Sequence, residues 1–132
     1  MNIFLDSSAI IAYLKADEKV KKEVDAADEV YSSSLCAFEV LLGEAYAKLK
    51  GFKPRGGDAT TFFEGLTVIQ FSEDDARKAA EVQAVLTSKG ITTNGMDVLI
   101  AASAYRMNLT IIAKDHDYDS ISKVLDVKVR VI

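Results

Sequence analysis

Four acids in this chain stand where a carboxylate could do chemistry. Asp6 follows the short apolar run NIFL at 2–5, and Asp115 comes just after the apolar run LTIIA at 109–113. Glu39 interrupts the apolar stretch SLCAFEVLLG, and Asp97 opens another, DVLIAASAYRM, at 97–107. Carboxylates brought close together raise one another's pKa, so a cluster persists most readily when a divalent cation neutralises it. Carboxylate oxygens suit magnesium or manganese. A cation held in this way activates a water and stabilises charge on phosphoryl oxygens, which makes phosphodiester hydrolysis the natural use. It would also relieve the repulsion between an acidic edge and a nucleic-acid backbone.

Each acid has a plainer reading as well. Asp6 can end a strand beside a helix cap at Ser7 or Ser8. Asp97 can stabilise the first turn of its helix, and Asp115 can sit in an ordinary polar turn. Glu39 can be a glutamate on an exposed helix face. It carries the most information of the four, because a carboxylate half-buried in an apolar run needs a partner.

The elements that must position these residues follow from the apolar pattern. Residues 2–5, 29–33, 66–71, 109–113 and 128–132 read as short strands. Helices are expected to Leu14 from a cap at Ser7 or Ser8, over 17–27, from Ser33 or Ser34 to Leu49, over 59–64, from Ser72 to about Ser88, and over 97–107. Ser72 with Asp75 fits a capping box, Asn94 with Asp97 fits another, and Gly51 and Gly90 fit helix ends. The segment GFKPRGGD at 51–58 is the clearest loop, and KDHDYD at 114–119 reads as a charged turn. Strands alternating with helices predict an α/β sandwich around a mainly parallel sheet. Sites in such sheets form beyond the carboxyl ends of the strands, which is where these acids fall.

Composition narrows the choice. With 132 residues, 49% apolar and 27% charged, the chain is expected to form one domain, 1–132, with a sizeable core. A net charge of −4 excludes a generally basic surface but allows a local patch. Lys48, Lys50, Lys53 and Arg55 form such a patch around the glycine-rich loop, and Lys114, Arg106 and His116 are further candidate phosphate contacts. Lysines also favour helix ends for purely structural reasons. One cysteine, Cys36, and one histidine, His116, permit neither an intrachain disulfide nor a classical zinc site. They also leave no histidine pair for metal-free RNA cleavage. No apolar run reaches membrane-spanning length and no leader pattern opens the chain, so a soluble, cytoplasmic protein is expected, without a membrane partner.

Taken together, FLDSSAIIAYL at 4–14, SSLCAFEVLLG at 33–43, GMDVLIAASAYRMN at 95–108 and IIAKDHDYDSI at 111–121 resemble the PIN-domain nucleases, particularly the toxin half of VapBC toxin–antitoxin pairs. The resemblance implies a PIN-like three-layer α/β/α sandwich and an endoribonuclease that uses Mg2+ or Mn2+. It implies that Asp6, Glu39, Asp97 and Asp115 hold the metal, with Asp6 and Asp97 as direct ligands. It further implies an RNA substrate, a small antitoxin protein that blocks the site, and a homodimer. Ser8 matches the small hydroxyl residue found beside the first aspartate in that family. Ala113 departs from the pattern, since threonine or serine is usual there, and this leaves Asp117 or Asp119 able to share the role of Asp115. Ile11, Tyr13, Leu41 and Tyr46 are candidates for an antitoxin groove, into which an amphipathic helix would lie.

Two other classes compete. A phosphoacceptor receiver domain would also be α/β with acids and magnesium, but its acid should end a middle strand, and LTVIQF ends before Ser72. It would also carry an acid pair after the first strand, where Asp6 stands alone. The other alternative is a catalytically inactive PIN-like domain that binds RNA or protein; retention of all four acids argues against it.

Overall fold

A continuous apolar run needs both faces covered, and β1 (Ile3–Leu5) is buried at every position. It lies at the centre of a five-stranded sheet of order β3-β2-β1-β4-β5, in which every neighbouring pair is parallel. The computed structural model describes residues 1–53 and 58–132. The other strands are β2 (Val30–Ser33), β3 (Thr67–Ile69), β4 (Thr110–Ala113) and β5 (Lys128–Val131). In register, Ile3 pairs with both Val30 and Thr110, so β1, β2 and β4 present their carboxyl ends side by side.

Helices flank this sheet. α1 (Ser7–Leu14), α2 (Glu18–Ala26), α3 (Ser34–Leu49) and α4 (Ala59–Glu64) pack in succession. α5 (Glu73–Ser88) and α6 (Gly95–Arg106) form the most extensive helix pair, with the short α7 (Asp119–Ser122) against α5. The α/β sandwich expected from the apolar pattern is therefore present, with a wholly parallel sheet. Phe4, Leu5, Ile10, Ile100, Ile111 and Ile112 are fully buried between the layers. Each such side chain contributes roughly 1.5–3 kcal/mol relative to an exposed one.

Local chemistry sets most element ends. Ser33 caps α3 by accepting from the Cys36 N–H, and Asn94 caps α6 by accepting from the Met96 N–H. Gly51 and Gly90, with φ of 80° and 69°, follow α3 and α5 in the left-handed conformation that glycine tolerates. Two expectations are corrected. The cap of α1 is Asp6 rather than a serine: its carboxylate accepts from the Ala9 N–H at 2.9 Å. The segment 114–119 is not a turn throughout, because α7 begins at Asp119. The third strand is also shorter than 66–71, since pairing with β2 ends at Ile69.

The capping box at Ser72 is present, but Asp75 does more than close it. Its buried carboxylate accepts from the Ser72 N–H at 3.0 Å, from the Ser103 hydroxyl at 2.9 Å and from Arg106 Nε at 2.6 Å. Burial alone would raise its pKa. The Arg106 guanidinium and the hydrogen bonds outweigh that and hold it below the usual aspartate range. This network fastens α5 to the end of α6, while Asp97 stands at the start of α6. Replacing Asp75 with Ala is expected to cost about 2–3 kcal/mol, near the lower edge for a buried pair because the Arg106 side chain remains 33% exposed. The urea midpoint should fall with an unchanged slope. The difference from wild type should shrink as pH drops below about 4, since a depressed carboxylate stabilises only when ionised.

Candidate functional site

The carboxyl edge of the sheet is stitched by one backbone bond and one buried hydroxyl. The Asp6 N–H donates to the Ile112 carbonyl at 3.3 Å, joining the exits of β1 and β4. The buried Ser32 hydroxyl donates to the Leu5 carbonyl at 2.8 Å, joining β2 to β1. Asp6 therefore emerges between two neighbouring strands and is itself buried, 5% exposed.

Ser8 completes the stitch. Its hydroxyl accepts from the Lys114 N–H at 3.1 Å and donates to Asp6 Oδ1 at 2.7 Å. One residue thus connects the first acid to the backbone beyond Ala113, where the sequence has no hydroxyl of its own. Glu39, in the second turn of α3, is half-buried and accepts from the Ser7 hydroxyl at 2.6 Å. Asp97 lies half-buried in the first turn of α6. Asp115 follows β4 and accepts from the Asp117 N–H at 3.2 Å. Asp117 is exposed.

The electrostatics show that these acids share one neighbourhood. Burial pushes the Asp97 carboxyl up to about 7, helped by the charges of Asp117, Glu39, Asp6 and Asp115. Burial also pushes Asp6 up to about 6; the Ser8 and Ala9 hydrogen bonds oppose this, and the Asp115 charge adds to it. Asp117 is raised by burial and then by Asp115. Among the described residues, no lysine or arginine offsets this crowding at Asp6 or Asp97. The donors are all carboxylate oxygens, a set that fits a hard divalent cation in charge and chemistry. As they stand, the side chains are not gathered around one point: among the described residues, no three Asp, Glu, His or Cys are spaced to hold a metal ion.

Tyr118 belongs to this neighbourhood and was not singled out from the sequence. It is 1% exposed, and its phenol faces Asp6. Burial and the negative charge of Asp6 hold it far above the ordinary tyrosine range, so it stays protonated and can donate. The available signal was a large aromatic ring within an otherwise charged segment. Cys36 lies nearby, and burial raises its thiol, which leaves it unreactive.

The expected phosphate contacts divide. Lys114 Nζ pairs with Asp17 at 3.1 Å, Lys48 with Glu44 at 3.2 Å, and Lys50 lies over the Tyr46 ring at 5.3 Å. Arg106 is committed to Asp75. His116 is exposed and pairs with Asp119. Lys53 and Lys15 line a groove of about 680 Å³ whose wall includes Glu39. Arg55 falls outside the described residues. Along α1 and α3, Ile11, Leu41 and Tyr46 are exposed, as are Phe38 and Leu42. Tyr13 is instead packed against Phe62, with ring centroids 5.2 Å apart. No helix among the described residues is long and apolar enough to cross a membrane.

The chain was compared with known proteins. A search of curated proteins finds no match. Among solved structures, similarity extends along the whole chain. VapBC2 from Rickettsia felis, bound to a DNA fragment from its promoter, has a chain with a TM-score of 0.81 at 18% identity, covering 100% of this chain and 99% of that one. VapBC-1 from nontypeable Haemophilus influenzae gives 0.77 at 18% identity, covering 99% and 98%. VapBC-5 from Mycobacterium tuberculosis, a member of the VapBC family of toxin-antitoxin systems, gives 0.74 at 20% identity, covering 99% and 98%. At these identities the structures show a common fold. The sequence itself matches the PIN domain over residues 3–124, a span containing Asp6, Glu39, Asp97 and Asp115, and the chain belongs to the PIN domain family.

Proposed function

We propose that this protein is a metal-dependent endoribonuclease, the toxin of a VapBC-type toxin–antitoxin pair. The observation that carries the reading is the shared electrostatic neighbourhood of Asp6, Glu39, Asp97 and Asp115: burial first, and then the neighbouring acids, raise Asp97 to about 7, with no basic side chain among the described residues to oppose them. A protein gains nothing in stability from such crowding. A bound Mg2+ or Mn2+ would neutralise it, and when bound would supply an activated water and stabilise charge on the phosphoryl oxygens.

Asp6 and Asp97 are the direct ligands in this reading, with Glu39 and Asp115 completing the set. None is a covalent nucleophile. Ser8 and the Ala9 N–H occupy Asp6 Oδ1, which fixes the plane of that carboxylate. Tyr118, buried and kept protonated, is available as a donor on the inner side of Asp6. Asp117, exposed beside Asp115, is placed to share its role. Lys53 and Lys15, in the groove beside Glu39, are positioned to attract a phosphate backbone.

The antitoxin fits the exposed apolar surface formed by Ile11, Phe38, Leu41, Leu42 and Tyr46, which would accept an amphipathic helix. The VapBC structures of matching fold support that partner. In this reading each chain is a single domain over 1–132 and pairs as a homodimer in the cytoplasm.

The purified protein should cleave mixed RNAs with manganese and lose that activity in chelator. Asp6→Asn and Asp97→Asn should each reduce cleavage on the order of 100-fold or more while circular dichroism stays native. Cleavage that persists in chelator and in both variants would sink the metal reading.

Stability should respond in the opposite sense to activity. The unfolded chain releases the Asp6 and Asp97 protons near pH 4, whereas the folded chain keeps them to about 6 and about 7. The folded state binds more protons in that window, so stability falls as pH rises through it. In chelator, the thermal midpoint should drop by roughly 15–20 °C between pH 4.5 and 7.5. Adding manganese at pH 7.5 should restore it, and Asp97→Asn should raise it without metal.

A further inference from the structure

The two serines after Asp6 look interchangeable in sequence, yet the structure gives them different tasks. Ser7 is the first residue of α1, a position whose hydroxyl could serve its own helix end. That duty is already met, because Asp6 caps the helix through the Ala9 N–H. Ser8 is committed to Asp6 and Lys114. The Ser7 hydroxyl reaches across 32 residues of sequence to Glu39 Oε1 at 2.6 Å, a short charge-assisted bond.

That bond is the only protein hydrogen bond to the Glu39 side chain among the described residues. A glutamate has three side-chain torsions to fix, and one strong donor on one oxygen removes much of that freedom. Because Ser7 occupies Oε1, Oε2 is left without a protein donor among the described residues. The charge of Glu39 is felt at Asp97, so the carboxylate held by Ser7 is part of the acidic neighbourhood.

We propose that Ser7 is a positioning residue that holds the Glu39 carboxylate through Oε1 and leaves Oε2 to face a divalent cation. This rests on the nuclease reading above. Ser7 itself touches neither cation nor RNA. The turn after β1 then sets two acids at once, with Ser8 orienting Asp6 and Ser7 orienting Glu39.

Manganese binding, followed by calorimetry or by the loss of the free-ion paramagnetic signal, tests this without reference to cleavage. Ser7→Ala should weaken binding about tenfold, as loss of a supporting hydrogen bond to a ligand does. Ser7→Thr and Ser7→Val compare one shape with and without the hydroxyl, so a packing defect cannot imitate the result. Thr should bind manganese within about twofold of wild type and Val as weakly as Ala. In a Glu39→Ala background, Ser7→Ala should have no further effect. Wild-type affinity in Ser7→Val, or an undiminished loss in the Glu39→Ala background, overturns the assignment and leaves the nuclease reading standing. Failure of the wild-type protein to bind manganese overturns both.

Discussion

The repulsion between carboxylates at the carboxyl edge of the sheet is the constraint on which the rest of the arrangement depends. Asp6 leaves the central strand, so its neighbours on either side are strand ends rather than solvent. Such an acid persists only if donors are aimed at it. The β1–α1 turn supplies the Ala9 N–H and the Ser8 hydroxyl, both to Oδ1. Starting a helix and fixing an acid are therefore one event here. The plain reading of Asp6 as a cap is met by the Ala9 N–H bond, and it leaves room for the proposed role in a site, because the same two bonds that start the helix also hold the carboxylate.

Aspartates removed from solvent in this chain fall into two opposite environments. Asp75 receives an arginine, a hydroxyl and a backbone N–H, and its carboxyl is held low. Asp6 and Asp97 receive no cation from the described residues and are held high, chiefly by burial. The first is a closed network whose charge is spent within the protein, between α5 and α6. The second is an open deficit of positive charge at a strand edge. Strongly perturbed carboxyl groups of this kind cluster at functional sites, which is why this edge carries the proposed function. Ala113 fits this view, since Ser8 on the neighbouring strand exit brings a hydroxyl to the backbone just beyond it.

Two nearby lysines are held on carboxylates outside that group. Lys114 stands one residue from Asp115 yet turns to Asp17, and Lys48 turns to Glu44. A lysine paired at the edge of the acids would fill the place of an external cation. Holding these ammonium groups on other carboxylates keeps the acidic edge available, while Lys15 and Lys53 remain in the groove next to Glu39.

Much of this was legible in one dimension. Strands 2–5 and 109–113, the cap residues Ser33, Ser72 and Asn94, the glycines at 51 and 90, and the acids Asp6, Asp97 and Asp115 near element ends are encoded within a few residues of their local surroundings. Their physics is local: a cap bonds three residues ahead, a glycine permits its own φ, and an apolar run buries itself. The tertiary structure decided the rest. The choice of Asp6 over Ser7 as cap, the reach of Ser7 to Glu39, the grip of Asp75 on Arg106 and the turning of Tyr118 toward Asp6 depend on which strand lies beside which. Hydrogen bonds across some thirty residues or more carry no periodic trace in sequence, because the separation along the chain is set by the lengths of intervening helices. Only when the order β3-β2-β1-β4-β5 brings those ends together do the donors find their carboxylates.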